Sequence, residues 1–67
     1  MDLKDEAKLI AHGRFFRNPP ESAEHIWHDL FAPDAKGEEG KYRGQLTLEE
    51  VQDIMTWTPP HGRSSKP

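Results

Sequence analysis

The stretch Gly44–Pro60, GQLTLEEVQDIMTWTPP, decides the fold. Thr47 and Glu50 stand at the T-x-x-E spacing of a capping box, in which the threonine hydroxyl accepts from the third helical N–H and the glutamate answers back to the cap. Leu46 before the cap and Val51 inside the helix have the spacing of a hydrophobic staple. Leu48, Val51, Ile54 and Met55 then make an apolar face at helical period. Pro59 disfavours helical geometry at Thr58, so the helix closes near Trp57. The stretch predicts a helix over 48–57.

Upstream lies APDAKGEEGKYRGQ, residues 32–45, with three glycines, Pro33 and many charges. This composition predicts a long surface loop of the kind that is often functional or mobile. Tyr42 is its only large apolar side chain and the candidate anchor. Before the loop, NPPESAEHIWHDLFAP (18–33) places Ala23, Ile26, Trp27, Leu30 and Phe31 at i, i+3, i+4, i+7 and i+8, a broad helical stripe. Two starts compete: Asn18 with Pro19 and Glu21, and Ser22. The predicted helix is 20–32, stopped by Pro33. At the N-terminus, Asp2 can cap a helix over 2–13 whose face carries Leu3, Ala7 and Ile10. Gly13 ends or weakens that helix. Phe15 and Phe16 either continue it to 17 or form a short extended segment.

These elements make a small all-α, three-helix domain over residues 1–60, with a long loop between the second and third helices. A tail over 61–67, HGRSSKP, is expected to be disordered. The composition fits a marginal core. Hydrophobic residues are 33% of 67, charged residues 31%, and mean hydropathy is -0.96. A chain this short buries only about 60% of its unfolded surface. No cysteine is present to staple it. Two Trp, three Phe and one Tyr argue against full disorder. The net charge of -3 disfavours nucleic acid as a partner. No apolar run approaches the ~20 residues of a membrane span. The N-terminus lacks a basic leader followed by an apolar core, so a cytoplasmic location is expected.

Four kinds of chemistry bear on function. Glu21, Glu24, His25, His28 and Asp29 crowd one face of the second helix. A zinc site needs three or more converging ligands, usually from more than one element, so this face reads as solvated. Residues 44–50 resemble the second half of an EF-hand, with Gly44 as turn glycine, Leu46 as apolar residue and Glu50 as last ligand. The earlier ligand positions would fall on Glu39, Lys41 and Arg43, and two of these are cations. The resemblance therefore implies a degenerate helix-loop-helix that does not bind calcium. A helix-turn-helix is ruled out by a join of about fourteen residues, where the motif uses a turn of ~3–4. No activated nucleophile is evident, so no enzyme activity and no cofactor are expected.

Protein binding is the fourth reading. Trp27 and Phe31 read as core. Phe15, Phe16 and Trp57 sit at helix ends where a thin core cannot cover them all, and exposed aromatics of this kind become interface anchors. Phe15, Phe16, Ile54, Met55 and Trp57 are the candidate partner-binding residues. The expected function is a non-enzymatic adaptor, accessory subunit or inhibitor docking on a larger protein, with a homodimer left open. The alternative is a metal- or calcium-responsive regulator using His25, His28, Asp29 or Glu50.

Overall fold

Three helices assemble around a core to which the long connecting segment also contributes. The computed structural model describes residues 2–59. Helix α1 spans Leu3–Phe15, α2 spans Ala23–Leu30, and α3 spans Leu48–Ile54; a tight turn, Gly37–Gly40, with positive φ at Glu38, Glu39 and Gly40, lies between α2 and α3. No strand occurs among the described residues. None of their helices is long and apolar enough to cross a membrane. Pro60 and the tail over 61–67 lie outside the described residues.

Helix α1 runs through Gly13. Ala7, Ala11 and Phe15 are buried at i, i+4 and i+8, with Leu3 and Ile10 packed beside them. Burying Phe15 contributes about 1.5–3 kcal/mol, more than the ~1 kcal/mol that an internal glycine costs. Packing therefore carries the helix two residues further than the Gly13 boundary. Asp2 occupies the N-cap position, but its side chain makes no capping hydrogen bond; only its backbone oxygen accepts, from Glu6 N–H at 3.0 Å.

Helix α2 uses the later of the two competing starts. The Ser22 hydroxyl accepts from His25 N–H at 3.1 Å. The prolines stay outside, because Glu21 is held elsewhere. Arg14 donates Nε to Glu21 Oε2 at 2.7 Å and Nη2 to Glu21 Oε1 at 2.8 Å. The same guanidinium reaches Asp29 Oδ2 at 2.7 Å. One side chain thus ties α1, the turn after it and α2. The helix ends at Leu30, short of the expected 32, because Phe31 and Ala32 both donate to the Trp27 carbonyl. Ile26, Leu30 and Phe31 are buried.

Residues 32–45 are better organised than a loose loop. Ala32, Ala35 and Tyr42 are buried. The Tyr42 hydroxyl donates to Glu6 Oε2 at 2.8 Å, Lys41 Nζ lies 3.2 Å from the same oxygen, and Gly44 N–H donates to Phe31 O at 2.8 Å. Gly37 is required by close approach: a Cβ there would meet the Asp29 backbone oxygen at 2.7 Å. Gly44 has φ +75°, the left-handed conformation that glycine adopts without a Cβ clash.

Helix α3 forms as its start signals dictate. Thr47 Oγ1 accepts from Glu50 N–H at 3.1 Å, and Glu50 Oε1 accepts from Thr47 N–H at 2.9 Å. Leu46 and Val51, the two staple residues, are both buried. Trp27 Nε1 donates to Leu46 O at 2.9 Å, fixing this start against α2. Regular helix stops at Ile54 instead of 57. The next residues bond three back, Thr56 N–H to Asp53 O and Trp57 N–H to Ile54 O, the tightening that commonly finishes a helix.

Candidate functional site

The C-terminal ends of α1 and α3 come together. On α1, Lys4, Lys8 and His12 follow at intervals of four and, with Phe16 just past the helix end, form one edge. Glu50, Asp53 and Ile54 on α3, with Trp57 in the turn after it, form the facing edge. Lys4 Nζ lies 3.1 Å from Glu50 Oε2 at one end. At the other, the His12 and Trp57 rings meet edge-on, with centroids 5.9 Å apart. Contacts at both ends in the same order mean that the two edges run in the same direction.

Between the two edges lies an open groove of about 310 Å³, lined by Lys8, Glu50, Asp53, Ile54 and Trp57. Its floor is apolar, because Ile54 belongs to the core and Trp57 packs against it. At the groove's aromatic end, Phe16 stacks on His12 at 4.7 Å between centroids. Phe16 is 65% exposed and Met55 49% exposed, the two exposed large hydrophobic residues among those described.

The five proposed contact residues divide accordingly. Phe16 and Met55 are exposed, and Trp57 is half-buried against the core. Phe15 is in the core at 7% exposure, because adjacent residues on a helix point ~100° apart and one of the pair must turn inward. Ile54 is 3% exposed and contributes only the groove floor. Sequence reasoning misses His12 and Lys8. Their signal is the four-residue stripe Lys4–Lys8–His12–Phe16, visible once α1 continues past Gly13.

The residues considered for metal binding go different ways. His25 Nε2 lies 3.3 Å from Glu21 Oε1, His28 sits edge-on to Trp27, and Asp29 is bonded to Arg14. Among the described residues no three His, Cys, Asp or Glu side chains converge as a metal-ligand group. Glu50, the last ligand of the EF-hand resemblance, has both oxygens engaged, one by Thr47 N–H and one by Lys4. These two contacts, the backbone one foremost, lower its pKa from the ordinary glutamate value. Arg43 is folded back, its Nε donating to Ala35 O.

A second groove, of about 480 Å³, opens between α2 and the start of α3, with Trp27, Pro33, Arg43 and Leu48 among its walls. It is separate from the aromatic site.

The chain matches no protein-family model, no curated protein and no solved structure. Its function is therefore read from its own residues.

Proposed function

We propose that the protein is a small, non-enzymatic binding module that docks on a larger protein through the aromatic end of the α1–α3 edge. The observation that carries this reading is the juxtaposition of exposed Phe16, half-buried His12 and half-buried Trp57 in one row, Phe16 tilted against His12 and Trp57 edge-on to it. A domain with so thin a core gains from burying every large apolar side chain, yet it leaves Phe16 and Met55 exposed. Exposed aromatic side chains beside a partly buried Trp are the usual anchors of a helix-borne interface. The acidic group beside them, Asp53, would act on orientation and association rate more than on affinity.

The test compares capture by the wild type, Phe16→Ser and Trp57→Ala, with a Lys36→Ala control. Thermal melts first establish that each variant folds. The reading expects a protein retained by wild type and control but lost from both aromatic variants. Equal capture by folded Phe16→Ser and wild type would sink it.

A further inference from the structure

The groove between α1 and α3 carries its charges in a particular order. Both cations, Lys4 and Lys8, are on the α1 wall. Both acids, Glu50 and Asp53, are on the α3 wall. Lys4 and Glu50 satisfy each other at 3.1 Å. Lys8 and Asp53 line the same groove, but neither has an ion-pair partner within 4.0 Å among the described residues. Charges facing an apolar floor without a partner are the groups that an incoming surface can pair.

We infer that a second copy of this chain covers the groove, related by a two-fold axis running along it. Such an axis exchanges left and right while preserving height. It places Lys8 of one copy opposite Asp53 of the other, twice. It also places Trp57 of each copy against His12 and Phe16 of the other, covering the most exposed aromatic. The face is self-complementary in this sense, which is what an isologous contact needs. Another partner would need its own cation row and acid row in matching order; a second copy supplies them by symmetry.

Size is consistent with this. A standard interface takes about 800 Å² from each partner, roughly a fifth of the 4451 Å² accessible surface of this chain. The molecule measures 37 by 24 by 20 Å, so one broad side offers that area.

The dimer rests on the reading of the aromatic edge as an interface, and it names the occupant of that edge in the free protein. A larger partner would then compete with the second copy for Trp57 and Phe16.

The test is sedimentation equilibrium with two charge reversals, Lys8→Glu and Asp53→Lys. Wild type should show twice its 7.7 kDa monomer mass at about 100 µM, where even a ~10 µM complex is mostly associated. Each single variant should be weakened by tenfold or more. In the first, two carboxylates face each other across the interface; in the second, two ammonium groups do. Mixing the two variants should restore the dimer, since both cross-pairs in the mixed species are attractive. A monomeric wild type at that concentration overturns the dimer, as does a mixture no more associated than its components. Neither result touches docking on a larger protein, which the capture experiment decides separately. If a variant fails to melt cooperatively, Lys8→Gln and Asp53→Asn replace the reversals. Each alone should then weaken the dimer and their mixture should recover part of it, because the mixed species keeps one Lys8–Asp53 pair; wild-type association of both variants would overturn it.

Discussion

The two connections between helices are held by opposite means. The first, residues 16–22, is short and tied by charge: Arg14 grips Glu21 through two hydrogen bonds, and Arg17 Nε adds a third contact to Glu21 at 2.9 Å. The second, residues 31–47, is long and tied by burial: Tyr42 enters the core at 2% exposure and Ala32 and Ala35 follow it. A short segment loses little entropy on closure, so directional bonds suffice to fix it. A long one orders more backbone, at about 1–2 kcal/mol per residue, and needs the larger return of apolar area.

The contrast is sharpest at Tyr42. Tyr42→Ala should cost about 3–5 kcal/mol, through the cavity and the lost contact area. A core of this size holds about that much in reserve, so the variant should be largely unfolded at 25 °C by far-UV circular dichroism. Tyr42→Phe keeps the ring and loses only the hydroxyl bond to Glu6, for about 1 kcal/mol. If the two variants behaved alike, the second connection would be held by its polar contact and not by burial.

Arg14→Met comes next. It leaves Glu21, whose side chain is 8% exposed, without its main partner. The expected loss is about 2 kcal/mol, below the full penalty of a deeply buried broken pair because Arg17 remains. A loss of this size lowers the melting point by about 8–16 °C in so small a domain. Glu21→Gln with wild-type stability would show that the charge is dispensable there and that shape alone fixes the turn.

pH separates the two connections further. Arg14 holds the Glu21 carboxyl below the ordinary glutamate range. A depressed carboxyl contributes stability that is full above its unfolded pKa and is lost as pH falls through the folded one. Glu6 is lowered as well, first by the Tyr42 hydroxyl and then by Lys41, so acid weakens both connections. Alkali does not. Burial, then the Glu6 carboxylate, raises the Tyr42 pKa. That contribution is full below the ordinary value of 10.0 and is lost as pH rises through the folded value. Thermal melts of wild type and Tyr42→Phe from about pH 8 to pH 11 should therefore diverge, with the wild type losing more stability; the loss common to both comes from Lys41, whose pKa its contact with Glu6 raises. Parallel curves would place the alkaline loss elsewhere.

What the sequence made legible follows the same division. The Thr47–Glu50 box, the Leu46 and Val51 staple positions and the all-α class rest on spacings of a few residues, and they stand in the structure. Tyr42 as the loop's anchor was legible because it is alone there. Its partner Glu6 was not, being 36 residues away. The start of α2 offered two local signals of similar strength, and the choice of Ser22 accompanies a tertiary contact, Arg14 to Glu21. Phe15 and Phe16 were indistinguishable by residue type. Only the direction of α1 past Gly13, set by core burial, turned one inward. His12 against Trp57 joins positions far apart in the described chain, and no local pattern announces it.

The smallest expected effect is at the start of α3, the best-specified point in the sequence. Thr47→Ala removes one hydrogen bond, from Glu50 N–H, and leaves that donor near solvent. Loss of a threonine cap costs about 0.5–2 kcal/mol, typically ~1. The Lys4–Glu50 contact survives the change, but its side chains are 50% and 39% exposed and such pairs are worth ~1 kcal/mol or less. Thr47→Ser keeps the acceptor and should be near neutral. Because α3 is only seven residues long, the loss should appear locally first, as faster amide exchange at Val51 and Ile54 with little change at Ala11. A helix this short is not stable by its own propensity, so its cap governs fraying while Val51 and Leu46 hold it to the core. A global loss as large as that of Arg14→Met would reverse this ordering. It would make α3, rather than the Arg14 tie, the element on which the fold depends.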